Sequence, residues 1–516
     1  MTDIVDTPTE PENEAPERGL DAGTAEPTET AGEDIVTPLL AAGLLPEPRR
    51  TARKTALARK QRLVAVSNRV GPVRSASRAG GLAVALVDTL RETGGLWFGW
   101  SGKIADEGAV RTERSSGITT ATLDLSQDEF DEYYNGFANR CLWPLFHYRM
   151  DLTAYDRRFY DGYLRVNRRF ADALVPLLKS DDLLWVHDYH LLPFGQVLRE
   201  LGVQQLIGFF LHIPFPSREV LATLPHHHSL VRALFSYDLV GFQTEADSGR
   251  FVDYVLNEVE GSSLVGDVLH AFGRNVRVMD FPIGIDTGEY ASFTNTEDGR
   301  RQTERVRAAL RGRAQIIGVD RLDYTKGLPD RFIAFEHFLD NYPEAHGRVE
   351  LLQIAPTSRG EVPEYVNIRE QLEQAAGRIN SRHAEVDWTP IRYMNRTVSR
   401  RALAGLFRAS AIGLVTPLRD GMNLVAKEYV AAQDPQDPGV LILSRFAGAA
   451  QQMSAALIVN PYDPVSVAEN INRALQMPLA ERRARHQTLL QGLYDEDLAH
   501  WRQRFVTALS EAAATR

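Results

Sequence analysis

Short apolar runs that end in polar loops and reopen as helix-like segments constrain this chain more than any other feature. "RLVAVSN" (62–68), "LLWVHD" (183–188), "LIGFFLH" (206–212) and "YDLVGFQT" (237–244) read as strands, and "LLPFGQVLREL" (191–201) and "TEADSGRFVDYVLNEV" (244–259) read as helices. The rhythm restarts after "VMDFPIGID" (278–286). Strands are expected at 314–323, 349–356, 411–417 and 439–446, and helices at 328–342, 401–410 and 464–475. Such alternation implies parallel sheets covered by helices on both faces. The expected fold is α/β, with two doubly wound Rossmann-like domains facing a central cleft. They span residues 59–284 and 285–480, and helices in 481–516 cross back to the first domain. Ligands of open α/β sheets lie beyond the carboxyl ends of the strands, so the loops that follow the strands are where function is sought.

Before residue 59 the chain changes character. Residues 1–48 carry about a dozen acidic residues with many Pro, Thr and Ala, and 49–62 reverse the sign of charge. A segment of that composition buries too little apolar surface to offset its chain entropy. Residues 1–58 are expected to be a disordered acidic tail and a basic linker. The formal net charge of −10 argues against a nucleic-acid partner but leaves room for a local basic pocket. The single cysteine, Cys141, has no internal disulfide partner, in keeping with a reducing compartment. No apolar run is long enough to span a bilayer, and the N-terminus has no apolar signal core. These features point to a cytoplasmic enzyme with no membrane partner.

The strand-end loops are unusually polar. In "VDRLDYTKGL" (319–328), Arg321 and Lys326 lie at the mouth of a helix, a strong anion site; two solvated surface cations are the plainer alternative. In "TPLRDGMNLVAKEYVAAQ" (416–433), the amides around Asn423, Leu424 and Val425 open a helix and suit a diphosphate oxygen. Asp420 and Glu428 are acceptors suited to sugar and ribose hydroxyls, or else an N-cap and a solvent carboxylate. The first half offers Arg69 after its first strand, the "AGG" turn with Gly81, and His187, Asp188 and His190 in "WVHDYH". It also offers His212 after "LIGFFLH", and an aromatic stretch, "YYNGFANRCLWPLFHYR" (133–149), in which the Tyr134 hydroxyl could meet a phosphate. A single histidine is more often structural than functional. Arg359 in "QIAPTSRGEVPEY" (353–365) is a further anion contact. "PHHHSL" (225–230) invites a metal reading, but adjacent histidines diverge and no cysteine or second histidine cluster completes a site. There is no GxxxxGK[ST] loop.

Taken in order, "SNRVGP", "AGGLAVAL", "GGLWFGWSG", "NGFANRCLWPLFHYR", "WVHDYHLLP", "FFLHIPFPS", "GFQT", "VDRLDYTKGL", "QIAPTSRGEVPEY" and "PLRDGMNLVAKEYVAAQ" resemble the trehalose-6-phosphate synthase family over residues 62–500. The resemblance implies the glycosyltransferase-B fold. It also implies glucose transfer from a nucleotide-glucose to glucose 6-phosphate with retention, without metal or cofactor, by a homo-oligomer, commonly a tetramer. It assigns Arg321 and Lys326 to the donor diphosphate, with the backbone of Asn423, Leu424 and Val425. Glu428 is assigned to the ribose, Asp420 and His212 to the donor sugar, and Gly81 to the donor phosphate region. Asp188 falls at the reacting centre, so that Arg321, Lys326, Asp188 and His212 form the implied catalytic set. Arg69, Tyr134 and Arg359 are assigned to the acceptor phosphate, with Trp143 and Trp100 beside the acceptor. UDP-, ADP- and GDP-glucose all remain open as donors. So do a transferase with another phosphorylated acceptor and a non-catalytic sugar-phosphate sensor.

Overall fold

Runs such as Leu183–His187, with every residue buried, form strands covered on both faces, as parallel sheets require. The computed structural model describes residues 61–71, 86, 87, 89–91, 94–106, 108–357 and 363–515. The expected tail and linker, Gly81 and Arg359 lie outside them.

The first sheet contains β1 (Leu63–Arg69), β2 (Leu96–Ile104), β3 (Arg111–Ser115), β4 (Ile118–Leu125), β5 (Leu183–His187), β6 (Leu206–Phe210), β7 (Leu239–Phe242), β8 (Ser262–Ser263), β9 (Val268–Ala271) and β10 (Arg274–Asp280). Their spatial order is β3-β4-β2-β1-β5-β6-β7-β10-β9-β8. The second sheet contains β11 (Ala314–Val319), β12 (Val349–Ile354), β13 (Ile391–Met394), β14 (Ile412–Val415), β15 (Val440–Ser444) and β16 (Leu457–Val459), in the order β13-β12-β11-β14-β15-β16. The fold is α/β, with two doubly wound lobes.

The interior of each sheet is parallel, as expected, but the edges of the first are not. β3 pairs antiparallel with β4, and β9 with β10. Both hairpins turn through two residues of positive φ: Ser116 and Gly117 at 52° and 81°, Phe272 and Gly273 at 52° and 71°. That geometry suits the twist of a tight hairpin. β3 is "RTERS", almost wholly exposed, and so reads as loop in the sequence.

Strand order reverses between β1 and β5 in the first sheet and between β11 and β14 in the second. These two switch points open the crevices in which ligands of such sheets bind. Arg69 ends β1 and Asp188 follows β5 at the first, and the loops holding Arg321, Lys326 and Asp420 follow the strands at the second.

The helices that matter below are α1 (Arg157–Leu174), α2 (Leu328–Asn341), α3 (Leu424–Ala432), α4 (Leu479–Asp495) and α5 (Leu498–Glu511). The stretch Phe130–Leu142 is a π-helix of 13 residues, a form usually confined to single turns and frequent at functional sites. It packs along α1 through Phe137 and Tyr163, whose ring centres are 4.7 Å apart, and through Glu132, 3.1 Å from Arg158.

After α4 the chain returns to the first lobe. Leu498 donates its amide to the carbonyl of Ile285 at 3.2 Å, so the outgoing and returning strands of the hinge touch. α5 then lies over β6 and β7. Phe505 stacks on Trp185 at 4.5 Å, and a Cβ on Gly208 or Gly241 would come within 2.8 or 2.9 Å of its ring. Only glycine permits that approach. Phe505 is fully buried, so Phe505→Ala should destabilise the protein by about 3–5 kcal/mol, read from urea unfolding. A loss below about 1 kcal/mol would mean that α5 is not anchored there. No helix among the described residues is long and apolar enough to cross a membrane.

Candidate active site

The second lobe builds a polar cradle from two loops. After β11, Asp323 accepts hydrogen bonds from the amide and hydroxyl of Thr325, both at 3.0 Å, closing a 3₁₀ turn over Tyr324–Lys326. Gly327, at φ 62°, redirects the chain into α2. Beneath, the fully buried Arg331 of α2 ties the β11 and β14 loops together. Its guanidinium reaches Asp320 at 2.6 Å, Gln353 at 2.9 Å and the Thr416 hydroxyl at 2.9 Å.

On that floor Lys326, itself buried, donates to Oδ2 of Asp420. Asn423 Nδ2 donates to the same oxygen at 3.1 Å. Burial pushes the Asp420 carboxyl up, but the Lys326 ammonium, with help from His147 and Asn423, holds it below the usual carboxylate range. Asn423, at φ 78°, caps α3 by accepting from the amide of Ala426 at 3.2 Å. Helix geometry leaves the amides of Leu424 and Val425 without an intrahelical acceptor, at the positive end of the dipole. Arg321 stands at the rim, half exposed, with its guanidinium 5.6 Å from the ring centre of Trp143 in the first lobe. Glu428 lies about one turn along α3, 3.7 Å from Arg400. Burial pushes its carboxyl up to about 7.

The first lobe presents an aromatic wall. Arg69 lies 5.6 Å from the ring centre of Trp100, which is 5.5 Å from Tyr134. Tyr134 stacks on Phe130 and His190 at 5.3 and 6.0 Å. The π-helix makes this possible: it presents Phe130 and Tyr134 to Trp100 while the adjacent Tyr133 turns inward to donate to Asn68 at 2.8 Å.

Asp188 follows β5 with φ 78° and ψ 167°. That region belongs almost wholly to glycine, and holding another residue there costs about 1–3 kcal/mol. Its amide donates to Phe210 O at 2.8 Å, and its Oδ1 accepts from the amide of His212 at 3.1 Å. His212 Nε2 lies 3.1 Å from His187 Nδ1, and burial drives the His212 imidazole down to about 3, so the ring is neutral. The second lobe closes on this point: a Cβ on Gly421 would lie 2.0 Å from the carbonyl oxygen of His212.

Three groups of expected residues are thus brought together. Lys326, Asp420, Asn423, Leu424 and Val425 form the cradle. Arg69, Trp100 and Tyr134 form the wall. Asp188 and His212 lie where the lobes touch. Arg321 and Trp143 bridge the lobes, and Glu428 stands apart from the cradle.

Some neighbours were not assigned from sequence. His147 is buried, donates through Nδ1 to Trp143 O at 2.7 Å, and feels the charges of Asp323, Lys326 and Asp420. Burial lowers it to about 4. Tyr148 lies under the guanidinium of Arg419 at 3.8 Å, and Arg149 lies 5.5 Å from the ring centre of Tyr324. The quoted "FHYR" was the signal, but only the fold shows that it faces the other lobe. In "PHHHSL", the structure supplies a neighbour the sequence did not: Glu258 shares a 4.8 Å cluster of ligand atoms with His227 and His228. One of the three is exposed, and His227 Nδ1 is engaged by Tyr254 at 2.5 Å.

Comparison with known proteins identifies the family. The description "Glycosyltransferase family 20" matches residues 54–511. A trehalose-6-phosphate synthase of Klebsiella pneumoniae is 51% identical over 452 residues, 87% of this chain and 95% of that protein. A crystal structure of an alpha,alpha-trehalose-phosphate synthase (UDP-forming) from Burkholderia vietnamiensis superposes with a TM-score of 0.86 at 52% identity, covering 88% of this chain and 98% of that one. That of the Burkholderia xenovorans enzyme in complex with glucose-6-phosphate gives 0.84 at 51%, covering 87% and 100%.

Proposed function

This chain belongs to glycosyltransferase family 20, and on that premise we propose that it moves glucose from UDP-glucose to glucose 6-phosphate with retention, giving trehalose 6-phosphate and UDP. The observation that carries the reading is the Lys326–Asp420–Asn423 cradle, docked through Gly421 against His212 and Asp188. A phosphate site and a sugar-hydroxyl site stand side by side at the contact of two switch points.

In this reading the donor diphosphate rests on Lys326, Arg321 and the amides of Asn423, Leu424 and Val425, with Gly81 near its phosphates. Glu428 takes the ribose hydroxyls; Asp420 and His212 take the glucose. As the glucosyl–phosphate bond breaks, negative charge grows on the leaving oxygen. Cations and amides already aimed there stabilise the transition state more than the ground state. The acceptor hydroxyl attacks from the face the diphosphate leaves, and the leaving phosphate oxygen takes its proton, which gives retention. Asp188 orients the sugars by hydrogen bonding. Arg69, Tyr134 and Arg359 hold the acceptor phosphate, against Trp100 and Trp143. No step draws on a metal or cofactor.

The donor is taken as UDP-glucose because the B. vietnamiensis relative is UDP-forming, and the acceptor as glucose 6-phosphate because the B. xenovorans relative was crystallised with it. Purified protein incubated with UDP-, ADP- or GDP-glucose and glucose 6-phosphate should yield trehalose 6-phosphate, fastest with UDP-glucose. No product would refute the reading and favour a sensor. Product only with another sugar or cyclitol phosphate would reassign the acceptor. We place the reaction in the cytoplasm and expect a homo-oligomer, a tetramer, which light scattering would read as four times the 57.7 kDa chain.

Arg69→Ala should raise the KM for glucose 6-phosphate about 10–100-fold, the loss of one charge-assisted hydrogen bond, and leave the donor KM unchanged. Arg359→Ala should act in the same direction. An unchanged acceptor KM in either variant would remove that residue from the acceptor site.

A further inference from the structure

Lys427 lies on α3, behind the proposed cradle, and is 1% exposed. Its Nζ donates to the carbonyl of Ile283 at 2.7 Å and to Gln452 Oε1 at 2.7 Å. Ile283 belongs to the segment that joins the two lobes, next to Gly284, where a Cβ would lie 2.3 Å from the carbonyl oxygen of Glu496 on the returning chain. The ammonium therefore grips the hinge. Burial drives it down to about 7, against the opposing pull of Glu496.

The same residue of the hinge is held from the other lobe. The amide of Ile283 donates to Gln243 Oε1 at 3.1 Å. Gln243 is 2% exposed and follows β7. With its oxygen committed to an N–H, its amide nitrogen is the end that faces His212 Nδ1, at 3.5 Å. An amide nitrogen only donates, so Nδ1 must accept. A neutral imidazole that accepts at Nδ1 carries its proton on Nε2. Nε2 is the atom 3.1 Å from His187 Nδ1, so His212 donates there and His187 carries its own proton on Nε2. Each link leaves one arrangement for the next, from the hinge to the residue against which Gly421 docks.

We propose that Lys427 and Gln243 are positioning residues that use the peptide units at Ile283 to set the tautomer and orientation of His212, so that the reacting centre is ordered by the hinge that joins the lobes. Neither residue touches substrate. The role rests on the proposed glucosyl transfer and adds to it a physical link between domain closure and the donor-sugar contact. A ring fixed by its neighbours needs no reorganisation when the sugar arrives.

Two substitutions at Gln243 separate this role from simple support of the hinge. Gln243→Glu keeps an acceptor for the amide of Ile283 but, once ionised, has no proton to give His212. Gln243→Met keeps the volume and neither function. Both variants should lose at least about tenfold in kcat at pH 8, with the acceptor KM and the affinity for UDP alone, which lacks the sugar, within about twofold of wild type. Wild-type kcat in Gln243→Glu would reduce Gln243 to a hinge support, and wild-type kcat in Gln243→Met would abolish its role; either overturns the proposal. Lys427→Met should also lower kcat, and the double variant with Gln243→Met should be no more than about threefold slower than the slower single. Losses that multiply would mean two independent sites and overturn the relay. If Lys427→Met does not fold, as thermal melting would show, the Gln243 pair decides alone. All rates are relative to wild-type synthesis of trehalose 6-phosphate, so an inactive wild type would refute the proposed function and not the relay.

Discussion

Replacing Lys326 with methionine is expected to lower kcat by about 10²–10³, the usual loss when a preorganised group facing developing charge, as proposed here, is removed. Methionine keeps most of the side-chain volume, so the 3₁₀ turn over Tyr324–Lys326 and its Asp323 cap should survive. The donor KM should move less than kcat, because in the proposed mechanism the ammonium interacts most strongly with the leaving diphosphate. The same substitution leaves Asp420 without its cation. In the wild type that carboxyl is held below its ordinary value, so the pair contributes stability above the ordinary carboxylate range that is lost only as pH falls through the lower folded value. Without Lys326 the dominant remaining influence is burial, which raises the carboxyl. The variant should therefore bind a proton more readily folded than unfolded, and the stability gap to wild type should narrow as pH falls from about 6 to about 4. Urea unfolding across that range measures it. A gap that widens on acidification, or near-normal turnover, would contradict the assignment.

Gly421→Ala is expected to cost at least about 10² in kcat/KM while leaving both lobes folded, since a displacement near 1 Å at a reacting centre has that scale. Gly421 does not have positive φ, so alanine brings no backbone strain. What it brings is a methyl 2.0 Å from the carbonyl oxygen of His212, far inside contact distance and against backbone that cannot swing away. The lobes must part by roughly an ångström. Gly448 backs the same loop, where a Cβ would lie 1.9 Å from the carbonyl oxygen of Gly421. A thermal melt close to wild type, paired with the loss of turnover, would identify lobe docking as the affected step. Unaltered turnover would mean that the docked arrangement is not the reactive one.

The sequence carries the buried architecture well because buried parallel strands are written as unbroken apolar runs. "LLWVH" and "VLILS" could be read directly, and the polar residues at their ends marked the crevices. Exposed elements carry no such record: β3 is a strand only because β4 offers it an edge. The π-helix was equally hidden, since nothing in "FDEYYNGFANRCL" separates a five-residue hydrogen-bond step from a four-residue one. At the candidate site, the placing of Lys326, Asp420 and Asn423 in strand-end loops was legible because each follows an apolar run. Gln243 also follows a strand, but its role depends on an amide of Ile283, 40 positions away. Nothing in the sequence marks Lys427 as buried; only the hinge carbonyl of Ile283 and the side chain of Gln452, packed against its ammonium, show that it is.

The return of α5 to the first lobe ties the two halves together in time as well as in space. Gly208 and Gly241 shape a surface on β6 and β7 that Phe505 fills, yet nearly 300 residues are synthesised between β6 and Phe505. On the ribosome the first sheet must wait with that apolar face uncovered while the whole second lobe emerges. Its last layer arrives with the final helix, so a chain cut short before α5 would release a first lobe with an adhesive face.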